Sequence, residues 1–278
     1  MAEWFPAFSG AAWLRHARVP QALLAAAPGP ADAEGLVDVD LRIESGRMAA
    51  VAPAGSAAAG IDLDRGMVLP CLIDAHVHLD KTEIWDRAQN DLGTHPAAVA
   101  AVFADREAHW SEADIEARFE FGLRCAFAHG TAAMRTHIDS YGAHAALGFA
   151  VFRRLRDAWS GRIALQASSL TTPPQLDGAP GEAIADLVAE AGGLFGLTAS
   201  QGAIDETFRA RLDQHFARAE ARGLDLDFHV DETGASEARA LKEVARTALR
   251  RGWKRTIQCG HCCALTVQTE EEARETIH

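Results

Sequence analysis

The stretch "CLIDAHVHLDKT", residues 71–82, starts apolar, turns polar and contains no glycine. A doubly wound dinucleotide fold would often place a Gly-rich phosphate turn after its first strand. A (β/α) barrel instead carries its chemistry at the C-terminal ends of its strands. Side chains alternate along a strand, so His76 and His78 share one wall at the end of this one. Two imidazoles at that spacing can reach a single metal ion. A pair of hydrogen-bonded neighbours would read the same way.

Working outward, the rhythm after Met67 alternates short apolar runs with amphipathic stretches of helical length. Strands are expected at 68–76, 132–138, 162–167, 193–197, 224–229 and 255–260. Helices are expected at 112–129, 141–159, 180–191, 204–222, 235–251 and 266–277. In the first helix Ile115, Phe119, Leu123 and Phe127 recur every four residues, and Gly130 follows as a stop. Repeated β-then-α units with near-continuous apolar strands predict a parallel sheet. Before this region, residues 1–66 carry one clear alternation. Val37, Val39, Leu41 and Ile43 oppose Asp38, Asp40, Arg42 and Glu44, and a turn leads into Met48 to Val51. This predicts a β-hairpin with one wet face, in a small antiparallel sheet separate from the barrel.

Polar residues recur at the later strand ends. "MRTHID" places Arg135, His137 and Asp139 on one face, and "LDFHVDET" does the same for Asp227, His229 and Asp231, with Glu232 just beyond. His261 closes the last strand, in "TIQCGHCCAL". Four strands thus end in histidine. Such a cluster needs a shared partner, and a divalent metal with bound water is the simplest. Cys259 and Cys262 have the C-x-x-C spacing of a dithiol, but they lack the basic neighbour that would activate a thiolate. They read as packing or supporting residues.

The chain has 27 Lys plus Arg against 39 Asp plus Glu, a formal net charge of −12. An acidic surface argues against nucleic acid or an anionic membrane as the main partner. The opening "MAEWFPAFSG" has no basic n-region and no long apolar h-region. Five cysteines, not spaced as a disulfide framework, predict free thiols in a reducing cytoplasm.

Together, "DAHVHLDKT", "RTHID", "HVDE" and "GHCCAL" resemble the cytosine deaminase-like branch of the amidohydrolase superfamily, from about Leu63 to Leu265. The resemblance implies an α/β fold, a (β/α)8 TIM-type barrel over residues 67–278, flanked by part of a small β-sandwich over residues 1–66. It implies one divalent ion, zinc or iron, held by His76, His78 and His229. Glu232 would be the proton shuttle, and His261 would hold or polarise the attacking water. Asp231 would support the site, Asp80 and His137 would line it, and Gln166 falls on a family-like strand. The implied reaction is hydrolytic deamination of a small nitrogen heterocycle, cytosine-like or related. The alternatives are cleavage of another C–N bond (alkylamine removal or cyclic amide opening) and a non-catalytic remnant.

Two departures stand out. The amide side chain that grips a pyrimidine in the family would fall near Thr172, which counts against cytosine itself. The family's metal-binding Asp at the eighth strand end would fall beyond the sixth unit, after which no further unit is read in these residues. The expectation is a barrel incomplete after about six units. Its open edges would favour a homo-oligomer or a complementing chain.

Overall fold

The computed structural model describes residues 10–199 and 204–278. The opening nine residues, read above for a leader, lie outside the described residues. The chain parts into two compact units, Met1–Cys71 and Leu72–His278.

The first unit holds β1 (Ala11–Pro20), β2 (Leu36–Glu44), β3 (Arg47–Pro53) and β4 (Ile61–Asp62) in one sheet of order β3-β2-β1-β4. The expected hairpin is β2–β3, with Glu44 opposite Arg47. Its two loop residues, Ser45 and Gly46, have φ of 51° and 70°. Two successive positive φ values match the right-handed twist of the flanking strands. Val37, Val39 and Leu41 are buried with Ala17 and Val19. The opposite face is not wholly wet, however. Asp40 is fully buried and accepts N–H bonds from His16 at 2.9 Å and Ala57 at 2.8 Å. Those two donors satisfy a carboxylate that alternation alone assigned to solvent. Strand β1 was not anticipated. A register shift between Leu14 and Ala17, where His16 has φ 51°, interrupts its alternation. Among the described residues of this unit there is one sheet, where part of a sandwich was expected.

The second unit runs β5 (Leu72–Val77), α1 (His95–His109), α2 (Glu112–Ala128), β6 (Thr131–Asp139), α3 (Ala143–Ala158), β7 (Ala164–Leu170), α4 (Ala179–Ala191), β8 (Phe195–Ala199), α5 (Glu206–Arg222), β9 (Leu226–Val230), α6 (Ala240–Arg251), β10 (Ile257–His261) and α7 (Glu270–Ile277). Helix α1 is additional to the expected set. β5 starts later than expected because Val68 donates its N–H to Arg18 O, within the first unit. α7 also starts late. Thr269 caps it in a reciprocal box with Glu272, and Cys263–Thr266 form a 3-10 turn instead.

All strand pairs in this unit are parallel: β5–β6, β6–β7, β8–β9 and β9–β10. A bridge from Ser168 to Leu194 joins β7 to the approach to β8. The strands therefore follow one another in chain order. That is a barrel succession, and it lacks the order reversal of a doubly wound sheet. The helices cover the outer face, and Phe119, Phe149, Phe195, Phe216 and Phe228 fill the layer between. In α2, Ser111 caps the N-terminus and the stripe Ile115, Phe119, Leu123 faces the core. The strands are thereby held with their C-terminal ends together.

Candidate metal centre

Five imidazoles converge at those ends. One ring nitrogen from each of His76, His78, His137 and His229 lies within 4.8 Å of the others. The His261 ring centroid is 4.7 Å from that of His76 and 4.9 Å from that of His229. β5 supplies His76 and, one residue past its end, His78. β6 supplies His137, β9 supplies His229 and β10 supplies His261. Sequence reasoning brought the same five strand-end histidines together.

The donor set fits a divalent ion. His78 Nε2 and His229 Nε2 are 3.3 Å apart. Two nitrogens bound tetrahedrally at about 2.0–2.1 Å would sit about 3.3–3.4 Å apart. Among the described residues, the buried Nε2 of His76 and Nδ1 of His78 have no hydrogen-bond partner. A buried polar atom without a partner is costly, and an ion at His76 Nε2 would remove that cost. Burial, reinforced by His137 and His261, pushes His76 down to about 4. Burial with His137 and His76 pushes His229 down to about 2. Burial, then Lys81, holds His78 well below the usual imidazole value. Neutral imidazole is the form that binds a metal.

His137 sits differently. Its Nδ1 faces Val77 O at 3.3 Å, and its Nε2 faces Asp227 Oδ1 at 3.1 Å. Both of its ring nitrogens face oxygen atoms, and its ring lines the cluster. Behind it, Asp227 Oδ2 accepts from Arg135 at 3.3 Å. Arg135 also donates twice to Gln166 Oε1, at 3.1 and 3.0 Å. Gln166 is therefore brought against Arg135. Strand alternation places Asp227 on the face of His229, but it does not show its partners Arg135 and His137.

Two further carboxylates are held by backbone N–H groups. Asp231 leaves the strand's alternation with φ 48°. Its oxygens accept the N–H groups of Ala240 and Leu241 at 2.9 and 3.0 Å, which anchors the start of α6. It does not share the wall of Asp227 and His229. A cavity of about 630 Å³ beside it is lined by Asp231, Thr233, Arg239 and Lys242 among others, and by none of the five histidines. Asp80 is buried and accepts the Asp139 N–H at 2.7 Å. Burial, then the Asp139 charge, raises it to about 7. Lys81 and Arg106 hold Asp139 from its other side, at 2.9 and 3.5 Å.

Glu232 stands beside the cluster. Its Oε1 is 3.6 Å from His261 Nε2 and 3.9 Å from His95 Nε2. His95 was missed, because no strand-end pattern marks the first residue of a helix. Trp85, between β5 and α1, is exposed. All five cysteines are free, and burial pushes the Cys259 thiol up to about 12. That is the reverse of an activated dithiol.

Gly260 gives His76 its room. A Cβ there would lie 3.1 Å from His76 Nδ1 and 3.3 Å from its Cε1. Gly260→Ala is expected to shift the ring by a few tenths of an ångström. Metal affinity should fall by about tenfold or more, with the fold retained. Competition with a chromogenic chelator would measure this.

No family model matches the chain. It is 42% identical over 269 residues to a pterin deaminase of Rhizobium rhizogenes strain K84, covering 95% of this chain and 60% of the relative. The chain thus spans about three fifths of that relative's length. The fold is that of 5-methylcytosine deaminase from Klebsiella pneumoniae liganded with 5-fluorocytosine, at TM-score 0.73 and 19% identity, covering 95% of this chain and 62% of that one. It is also that of N-isopropylammelide isopropylaminohydrolase from Burkholderia multivorans, at TM-score 0.72 and 24% identity, covering 96% and 65%. These likenesses, in sequence to a pterin deaminase and in fold to a cytosine-acting deaminase and an isopropylaminohydrolase, agree with the strand succession, the strand-end histidines and the resemblance to the amidohydrolase superfamily.

Proposed function

We propose that this chain carries the catalytic histidines and carboxylate of a metal-dependent deaminase acting on a nitrogen heterocycle, a pterin in the first instance. The observation that carries the reading is the 3.3 Å approach of His78 Nε2 to His229 Nε2 with Glu232 and His261 alongside. The pterin reading rests on the 42% identity to a pterin deaminase. The likeness to the cytosine-acting enzyme is one of fold.

His76, His78 and His229 would hold a divalent ion, zinc or iron. When bound, such an ion would supply Lewis acidity, the chemistry that makes water a nucleophile near neutral pH. His261 orients the water. Glu232 takes a proton from it and delivers that proton to the ring nitrogen beside the attacked carbon. The C–N bond to the amino group then breaks. The remaining proton of the attacking water passes through Glu232 to the departing nitrogen. One water and one amine become one oxo group and one ammonia. Asp227 and Arg135 keep His137 in place behind the cluster, and Asp231 keeps the Glu232 loop tied to α6.

Free thiols suit a cytoplasmic location. Among the described residues, no helix is long and apolar enough to cross a membrane. The outer edges of β5 and β10 suit pairing with a further polypeptide segment or a second copy. The test is ammonia release from pterin by the zinc- or iron-loaded chain, with chelator-treated protein as control. Metal-dependent ammonia supports the reading. Amine release from N-alkylated rings, without ammonia from pterin, would move the assignment to alkylamine removal.

A further inference from the structure

His95 belongs to none of the motifs at the site, yet it approaches the same carboxylate oxygen as His261. Its Nε2 is 3.9 Å from Glu232 Oε1, against 3.6 Å for His261 Nε2. Neither spacing is a hydrogen bond. The His95 side chain is 57% exposed, whereas Glu232 is 26% and His261 24% exposed. His95 thus stands on the solvent side of the proton shuttle, and His261 on the side of the cluster.

Its backbone is held without help from the imidazole. Thr94 Oγ1 caps α1 by accepting from Ala97 N, and Asn90 Nδ2 donates to Thr94 O at 3.0 Å. Pro96 follows within the first turn, where its fixed φ suits a helix. The segment before α1 is tied down by Arg87, which donates to Asp105 and Asp114. Cap, proline and Arg87 account for the position of the segment. The exposed imidazole is left aimed at Glu232.

We infer that His95 is a substrate-binding residue whose imidazole hydrogen-bonds the outer ring of a bicyclic heterocycle. The inference rests on the deaminase reading for the position of the reacting carbon. With that carbon between the histidine cluster and Glu232, a one-ring substrate ends near Glu232. The second ring of a pteridine extends outward, toward His95. The polar edge of that ring offers nitrogens to an imidazole N–H. His95 thereby favours two-ring over one-ring substrates.

The test is binding to the zinc-loaded 278-residue chain, read by rapid mixing before turnover consumes the ligand. Pterin is followed by its own fluorescence and cytosine by competition, for wild type, His95→Leu and His95→Gln. His95→Leu should weaken pterin binding about five- to tenfold, the effect of one partly exposed hydrogen bond. Cytosine binding should stay within about twofold. His95→Gln, whose amide reaches about as far as Nε2, should restore most pterin affinity. Zinc content and melting temperature should match wild type in both variants. Unchanged pterin binding in His95→Leu, equal weakening of both ligands, no rescue by Gln, or no pterin binding by wild type would each overturn the inference. The ammonia assay reads the other question separately. His95-dependent binding without ammonia sinks the deaminase reading alone. Ammonia release with binding indifferent to His95 sinks this inference alone.

Discussion

Glu232→Gln is expected to reduce ammonia release by about 10²–10⁴-fold, the usual range for loss of a positioned general acid–base. The substitution keeps the size of the side chain and removes only its ability to carry a proton. Glu232 stands 3.6 Å from His261. It is not one of the four residues whose nitrogens cluster. The variant should therefore keep its metal and its fold. In steady-state kinetics the loss should appear in kcat, with little change in KM, because the proton moves during the chemical step. A Glu232→Gln protein turning over at near wild-type rate would end the shuttle assignment. Loss of metal in that variant would make Glu232 a ligand instead.

The second large effect is on the metal. His229→Ala removes one of the two nitrogens that face each other at 3.3 Å. It should abolish tight metal binding and, with it, the stabilisation that metal confers. With free zinc about a hundredfold above Kd, that stabilisation is about 2.7 kcal/mol. In a domain of this size it corresponds to a rise of about 5–10 °C in Tm. Wild type should show this rise on adding zinc, and His229→Ala should show none. His137→Asn is the informative contrast. His137 faces Val77 O and Asp227 through its two nitrogens. Its loss should lower affinity about 10–100-fold, the range for a residue that orients ligands, and should leave one ion bound at saturating zinc.

Much of this was legible in the sequence because two periodicities carry it. The four-residue apolar spacing of α2 and the apolar runs of β6 through β10 reflect burial against one core, so they survive as pattern. The strand-end histidines were legible for the same reason: alternation places them once the strand is known. What alternation cannot show is where it stops. Asp231 takes a left-handed backbone conformation and turns to the start of α6, so its predicted face was wrong. Asp40 alternates as a surface residue, but it is buried because loop N–H groups come to it.

Long-range convergence was equally hidden. Gln166 meets Arg135 across the strands, a contact that the alternation of its own strand does not show. His95 reads as nothing, yet it meets Glu232. Helix α1 escaped because "HPAAVAAVFADREAH" is rich in alanine, which has high helix propensity but marks no apolar stripe. Its buried residues are Asp105 and Arg106. Arg106 packs over the rings of Phe103 and Tyr141 at 4.3 and 4.4 Å, an arrangement that hydrophobic spacing does not reveal.

The measurement that bears most directly on the central claim is an anomalous difference map from crystals of the zinc-loaded chain. The account predicts one peak, at about 2.0–2.1 Å from Nε2 of His76, His78 and His229. His137 should stay on Asp227, and Glu232 should lie outside ligand distance. A cluster without a peak, or an ion held by His137 or the cysteines in place of His76 and His229, would contradict it.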